Sequence, residues 1–334
     1  MSSNFRGNPA PKPYAFVPFA SDQPDRQQPT LGQQKFGRTG QVSGRLDLEL
    51  TVKTTTFVAS GIVARGQDVG LRESVVKTAV LADQSLVIPG SSLKGVVRSV
   101  YEALTQSCVC KTKAKIPQSL KECSVKGNEP KICPACRAFG AMGWQGLIQF
   151  TDAKGNTAVD TIGFMPSLYA PRPKSPAYTD RQGNLKGRKF YYQATAAVDK
   201  GKRGIPVQAA GVNYLFRGQV RVKNLSFAEF GALLLILGQD PKHPLALKAG
   251  GGKPVGMGAL GTKIVQFEQV TNWPDRYQSY DATGGNALTG ATLDRFMQDA
   301  IAEAKKDLVQ TQALQTLTQI LRWPTTRTAP EGLY

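Results

Sequence analysis

Alternation of apolar and polar positions predicts the main strands of the chain. It is clearest over residues 45–53, where four leucine or valine side chains alternate with polar or charged ones. A period of two is typical of a strand with one buried face. Similar patterns predict strands at residues 146–152, 214–222 and 260–267. The segment from residue 60 to about residue 73, which follows the first strand, is predicted to be a loop.

Apolar residues at helical spacing predict helices between these strands. Ser91 or Ser92 is expected to cap the first helix. Ser226 and Glu229 have capping-box spacing ahead of a second helix. A helical pattern also covers residues 292–323 near the end of the chain. Strand–helix–strand therefore occurs twice, which predicts an α+β fold with the split βαβ core of ferredoxin-like and RRM-like domains.

The remaining segments predict additions to that core. The start of the chain is rich in Pro, Gln, Gly and Arg, and its aromatic patch at residues 14–19 either docks on a neighbour or belongs to a flexible terminus. The predicted organisation is an extended arm at 1–43, a core at 44–270 with a cysteine insertion at 107–140 and a thumb-like insertion at 153–210, and a C-terminal helical extension at 271–334.

The net charge of the chain indicates which class of molecule it binds. The 334 residues include 42 lysines and arginines against 24 aspartates and glutamates, a formal net charge of +18. Such an excess attracts polyanions, so nucleic acid is the expected partner. The single histidine, His243, excludes mechanisms that need two histidines. The longest apolar run, residues 232–237, is far shorter than the roughly 20 residues of a membrane span, so we expect a cytoplasmic protein without membrane contact.

Five cysteines lie close together in the sequence and suggest a metal site. Cys133 and Cys136 form a CxxC knuckle, and Cys108, Cys110 and Cys123 are candidates for the other two thiolates of a four-cysteine zinc site. Such a site is structural, because four thiolates leave no position for a catalytic water. A redox CxxC and an incidental cluster of reduced cysteines are the alternatives. The sequence leaves open which two of the three complete the site.

A Gly-Ser-Ser turn at residues 90–92 enters the first predicted helix. Unpaired backbone N–H groups and two hydroxyls, from Ser91 and Ser92, would lie at the positive end of the helix dipole, where phosphate binds readily. Lys94 and Arg98, one turn apart, would add positive charge. The signal is weak by itself, because every capped helix has part of it.

The insertion at 153–210 combines cations with aromatic rings. Its cations over the range 172–203 are Arg172, Lys174, Arg181, Lys186, Arg188, Lys189, Lys200, Lys202 and Arg203. They outnumber Asp180 and Asp199 and alternate with aromatic residues, which is typical of a single-strand binding surface. Arg188 and Lys189, which precede Phe190, are the candidates for RNA contact. The alternative is a solvated loop with some rings folded onto the core.

A glycine-dense loop at residues 250–258 lies late in the core. Closely spaced glycines let the backbone approach a ligand, and Lys253 could meet a phosphate there. On the residues alone, a flexible hairpin turn is the stronger interpretation.

Several of these motifs, in this order, resemble a known family. They are Ile-Pro-Gly-Ser-Ser-Leu-Lys-Gly at 88–95 followed by Arg98, then Cys-Pro-Ala-Cys-Arg-Ala-Phe-Gly at 133–140, a strand ending in Asp-Ala at 152–153, and the glycine loop. The sequence resembles the RAMP superfamily of CRISPR-associated proteins over roughly residues 44–268, and is most similar to backbone subunits of type III effector complexes.

The resemblance implies a modified RRM core that holds CRISPR guide RNA, and a hairpin thumb inserted between guide and target RNA. Target RNA and other CRISPR effector subunits are then the further partners. The guide contacts that it implies are Ser91, Ser92, Lys94, Arg98 and Lys253, with the 153–210 insertion as the thumb.

Some members of this family cleave target RNA with an aspartate in the loop before the first helix and a divalent metal such as magnesium. The nearest match by spacing in this sequence is Glu73, with Asp68 as the other acidic candidate. The extra methylene of glutamate departs from the pattern of the family and leaves cleavage an open question.

Two other hypotheses remain open. One is a RAMP ribonuclease that processes precursor guide RNA, although such enzymes often use histidine and this chain has one. The other is a general cytosolic RNA-binding protein with an RRM-like fold.

Overall fold

The computed structural model describes residues 12–19, 21, 23–29, 31–35, 40–110, 112, 116–125, 131–158, 161–168, 177–179, 181, 183–201, 203–270 and 286–330. The strands in these ranges are β1 (Tyr14–Val17), β2 (Gln41–Val52), β3 (Ala59–Arg65), β4 (Val75–Ala79), β5 (Leu81–Ala82), β6 (Ser85–Ile88), β7 (Ile148–Phe150), β8 (Ala153–Ala158), β9 (Thr161–Pro166), β10 (Arg188–Tyr191), β11 (Gly204–Ala209), β12 (Leu215–Ser226), β13 (Leu247–Lys248), β14 (Ala259–Gln269) and β15 (Asn286–Leu288). The helices are α1 (Gly90–Leu104), α2 (Pro134–Phe139), α3 (Phe227–Ile236), α4 (Gly290–Asp307) and α5 (Thr311–Leu321).

The main sheet has the strand order β13-β14-β2-β12-β8-β6-β5, with β7 also pairing β12 and β15 pairing β14. Its central pairs, β14 with β2, β2 with β12 and β12 with β7, are all antiparallel. Helix α1 contacts β7, and α3 contacts β2 and β12. The apolar residues of β2 are at most 4% exposed, which confirms the predicted alternation. The fold is therefore α+β, with the two helices placed against one sheet.

The capping box of α3 is confirmed. The Ser226 hydroxyl accepts from the Glu229 backbone N–H at 3.2 Å, and the Ser226 N–H donates to the Glu229 carboxylate at 2.9 Å. This reciprocal pair satisfies two of the N–H groups that the first turn leaves unpaired. Helix α3 then runs through the core with nearly every side chain buried.

The predicted cap of α1 is wrong. Helix α1 begins at Gly90, and neither Ser91 nor Ser92 accepts a capping hydrogen bond from its backbone. Instead, the Gly90 N–H donates to Asp152 Oδ1 at 2.7 Å. A Cβ at Gly90 would overlap the Phe150 carbonyl, so the glycine permits the end of β7 to lie against the start of the helix. The cap comes from a residue far along the chain, which local spacing does not reveal.

Two further boundaries differ from the sequence prediction. Residues 59–65, within or beside the predicted loop, form β3, the outer strand of a second sheet of order β3-β4-β11-β9. Most of β3 is exposed, so it lacks the alternation of a half-buried strand. The predicted C-terminal helix is two helices, α4 and α5, because the chain turns at residues 308–310. None of the helices in the described part of the chain is long and apolar enough to cross a membrane.

The aromatic patch of the N-terminal arm packs within the chain. Strand β1 pairs antiparallel with β10, so that Tyr14 lies opposite Tyr191 and Val17 opposite Arg188. Helix α5 contacts both strands. Of the predicted basic insertion, Arg172, Lys174, Asp180 and Lys202 lie outside the described residues.

Close packing of α3 on α4 gives a stability prediction. A Cβ at Gly231 would overlap the Ala300 carbonyl oxygen, so Gly231→Ala should lower the free energy of unfolding by about 2 kcal/mol, measured by urea denaturation. Gly95→Ala on α1 is the matched control. Nothing lies within 4 Å of its added Cβ, so it should be neutral or stabilising by up to about 1 kcal/mol. Equal effects of the two substitutions would contradict the packing argument.

Candidate functional site

A cleft of about 840 Å³ brings together three regions that are separate in sequence. One wall is the outer face of α1, another is β10 with the aromatic residues beside it, and the floor is β13 with the glycine loop. The residues that line it include Ser92, Gly95, Tyr178, Arg188, Lys189, Lys248 and Lys253. The structure therefore gathers at one surface the helix start, the basic insertion and the glycine loop.

The predicted site residues of α1 have different surroundings. Ser91 and Ser92 are exposed, and Ser92 lines the cleft. Burial, and secondarily the charge of Arg98, lowers the pKa of the half-buried Lys94. Arg98 itself faces the cysteines: its guanidinium donates to the Glu102 carboxylate and to the Gly140 carbonyl, each at 2.9 Å. Ser92 therefore lines the cleft, whereas Arg98, further along α1, contacts the cysteine region.

On β10, the two predicted cations are held by contacts within the chain. Arg188 donates to the carbonyls of Ser107 and Cys108, at 2.7 and 3.0 Å. The Lys189 ammonium lies 3.9 Å from the centroid of the Tyr14 ring and donates to the Tyr178 hydroxyl at 3.0 Å. Cation–π contacts of this kind fix a lysine in place without neutralising its charge. The wall of the cleft is consequently aromatic and positively charged.

The glycine loop is packed against the core. Gly250 has φ +79°, and a Cβ there would overlap the Phe57 carbonyl. The loop continues into a 3-10 turn, Lys253–Val255, which starts at a left-handed Gly252. Burial lowers the pKa of Lys253, which lines the cleft. The loop joins the antiparallel strands β13 and β14, so it is the hairpin turn that the residues alone favoured, and it packs against the core.

Lys248 is a residue of the cleft that the sequence analysis missed. It is 6% exposed, on β13, and its Nζ donates to Gln193 Oε1 at 3.3 Å. Burial, together with the charge of Lys253, lowers the pKa of Lys248 to about 7. The available signal was a lone lysine within the otherwise apolar run at 245–249.

Four cysteines form a candidate metal centre. The Sγ atoms of Cys108, Cys123, Cys133 and Cys136 all lie within 4.8 Å of one another, and all four residues are buried. Cys110 is outside this group, and its thiol donates to the Glu122 carboxylate. The structure thus selects Cys108 and Cys123 as the partners of the CxxC pair. Tetrahedral zinc would place its sulfurs about 3.8 Å apart, so the four thiols can hold a metal ion.

Two arginines lie against these thiols. Arg26 Nε donates to Cys123 Sγ at 3.3 Å, and Arg98 Nη2 to Cys136 Sγ at 3.5 Å. Hydrogen bonds from Cys108 and the other two cysteines, joined by that of Arg26, lower the pKa of the Cys123 thiol. Arg26 was not predicted, because it lies in the N-terminal arm, far from the cysteines in sequence. Both guanidinium groups would offset the negative charge of a metal–thiolate centre.

The acidic candidates lie elsewhere. Asp68 is exposed in a 3-10 turn, Gly66–Val69, that follows β3. Glu73 lines a separate cavity of about 300 Å³, together with Asp199. Neither Asp68 nor Glu73 is among the described residues that line the cleft.

Comparison with known proteins identifies the family. The RAMP superfamily matches residues 49–260. No curated protein matches this chain in sequence. Among solved structures, the chain is similar to one in the cryo-EM structure of the type III-B Cmr-beta bound to cognate target RNA, at 17% identity, 69% coverage of this chain, 61% of that chain and a TM-score of 0.37. It is also similar to a chain of a type IV-B CRISPR complex, at 16% identity, 75% and 96% coverage and a TM-score of 0.35.

The family match contains the end of β2, the core strand β12, helices α1 and α3, the four clustered cysteines and the two lysines on the floor of the cleft. On this match, which covers more than half of the sequence, the chain belongs to the RAMP superfamily.

Proposed function

We propose that this chain binds CRISPR guide RNA in the cleft, as a backbone subunit of a type III effector complex. The observation that carries the proposal is the convergence of Ser92, the aromatic wall of β10 and Lys253 on one surface. Cations that meet phosphates and rings that accept bases are the requirements of single-strand binding. Membership of the RAMP superfamily and the net charge of +18 support the same function.

The core of the proposed subunit is a modified RRM fold. The antiparallel order β14-β2-β12-β7, with α1 and α3 against the sheet, supports the split βαβ plan. Within the 153–210 insertion, β9 and β11 pair antiparallel outside the main sheet and supply the thumb candidate.

Assembly with other effector subunits is part of the proposal. Strand β3 forms an outer edge of the second sheet, and its Ile62 and Val63 are 63% and 55% exposed. An exposed apolar edge strand favours a protein neighbour over water. Target RNA, paired with the bound guide, is the further proposed partner.

Precursor processing has less support. His243, the single histidine, contacts the buried Asp240 carboxylate through Nδ1 at 2.6 Å. It is not among the described residues that line the cleft. A histidine can act as an acid or base on the bound RNA only where it reaches the RNA.

The experiment that tests the proposed function is native purification followed by sequencing of the bound RNA and identification of the bound proteins. Guide RNA with repeat-derived ends, together with other effector subunits, is the expected result. Mixed cellular RNA without such partners would show a general RNA-binding protein instead.

Phosphate contact by Lys253, which lines the cleft, and by Lys94, on the helix that forms one wall of the cleft, predicts a salt-dependent loss of binding. Lys94→Ala and Lys253→Ala should each weaken RNA binding about tenfold and reduce the slope of log affinity against log salt by about 1. The measurement is fluorescence anisotropy over a salt series, with the exposed Lys306→Ala on α4 as the control. If the salt slope of a variant equals that of the control, the substituted lysine does not contact a phosphate.

We further propose that the four clustered cysteines hold structural zinc, with Cys110 not a ligand. Metal analysis should give about one zinc per chain. The double change Cys133→Ser and Cys136→Ser should abolish zinc binding and lower the free energy of unfolding by several kcal/mol. Cys110→Ser is the matched control and should keep its metal. A metal-free wild-type chain, as stable as the double variant, would refute the zinc site.

Target cleavage, if the subunit performs it, is assigned to Glu73 or Asp68 with magnesium. In an assembled complex with matched target RNA, alanine at the catalytic position should slow cleavage by about 100-fold or more, because the carboxylate that binds metal or orients the attacking hydroxyl is lost. Asp307→Ala on α4 serves as the control in gel assays of cleavage. If Glu73→Ala and Asp68→Ala both cut at the wild-type rate, neither residue is catalytic.

A further inference from the structure

Lys248 is unusual because it places an amino group in the interior of the protein. Its side chain lies on β13, whose other residue, Leu247, is also buried. Burying a lysine away from a carboxylate is unfavourable, since either the charge is desolvated or the proton is lost. A lysine kept at such a position is a candidate for a binding role.

The neighbours of Lys248 orient it but do not neutralise it. The Gln193 side chain is fixed by donation from Nε2 to the Ala246 carbonyl at 2.8 Å, which turns its oxygen toward the Lys248 ammonium. An ammonium has three donors, and within the described residues one of them goes to Gln193. The charge that acts on Lys248 is that of Lys253, which is repulsive. Two cations therefore lie near each other, and a bound anion would offset the repulsion between their charges.

We propose that Lys248 and Lys253 form a single subsite that holds one backbone phosphate of the bound RNA at the floor of the cleft. This inference rests on the proposed RNA-binding function and adds to it a specific phosphate contact. Lys253 reaches the cleft from the glycine loop, and Lys248 reaches it from the strand before that loop. A phosphate between them would replace mutual repulsion by two charge-assisted hydrogen bonds.

The subsite makes RNA binding depend on pH. In the free protein, Lys248 loses its proton as the pH rises through about 7. A phosphate favours the protonated lysine, so binding above this pH takes up a proton and becomes weaker as the pH rises. The other titratable or charged residues that line the cleft are Glu102, Tyr178, Arg188, Lys189 and Tyr191.

The test uses the full-length chain and a fluorescent oligouridine RNA of about 12 nucleotides, within the range bound by single-strand sites. Lys248→Met keeps the length and burial of the side chain and removes its charge, and Lys263→Met, at an exposed position of β14, is the matched control. At about pH 6, Lys248→Met should bind about tenfold more weakly than Lys263→Met. Between about pH 6 and about pH 8.5, the affinity of the control should fall several-fold more than that of Lys248→Met.

A double-mutant cycle tests whether one phosphate is shared. If Lys248 and Lys253 hold the same phosphate, Lys248→Met with Lys253→Met should weaken binding by about 20-fold, below the product of about 100-fold for independent contacts. Additive losses would overturn the shared subsite.

Different results would overturn the RNA-binding function and the phosphate subsite. A folded wild-type chain that binds no oligouridine overturns the RNA-binding function itself. Wild-type binding with Lys248→Met indistinguishable from Lys263→Met at every pH overturns the subsite and leaves the RNA-binding function standing. Circular dichroism of each variant confirms that the loss is not one of folding.

Discussion

The structure depends on how helix α1 is fixed against its surroundings. Its first N–H donates to Asp152, which lies between β7 and β8, its apolar face is buried, and Arg98 at its middle joins Glu102 to the cysteine loop. Glu102 belongs to α1 itself, whereas Asp152 and the carbonyl of Gly140 come from later segments of the chain. Because α1 forms one wall of the cleft, its position decides the shape of the proposed RNA site.

The cations in and around the cleft fall into two groups according to their partners. Arg98, Arg188 and Lys189 have partners inside the protein, and they hold the helix, the cysteine loop and the aromatic wall in place. Lys248 and Lys253 have no carboxylate partner within the described residues and lie at the floor of the cleft. A net charge of +18 predicts a polyanionic partner, but it does not distinguish cations that build the site from those that remain for the ligand.

Local patterns predicted much of the fold, because the interactions behind them are local. The alternation of β2 and the capping box at Ser226 depend on residues a few positions apart, and both are confirmed. The cap of α1 by Asp152 and the contact of Arg26 with Cys123 join residues far apart in sequence, so no spacing rule reveals them. The CxxC pair was visible in the sequence, whereas the exclusion of Cys110 required the folded loop.

The pairing of β1 with β10 has a consequence for how the chain reaches its working form. The aromatic wall needs residues 14–17, residues 188–191 and the contact of both with α5, and the Gln193 N–H donates to the Ile320 carbonyl. Closing such long loops costs conformational entropy before the contacts compensate for it, and the core pairs of β2 with β12 and β14 span separations of similar or greater length, so the aromatic wall and the core both have high contact order. A chain still emerging from the ribosome therefore lacks the completed cleft until the helix Thr311–Leu321 has been synthesised, and the topology disfavours premature engagement of RNA by a partial chain.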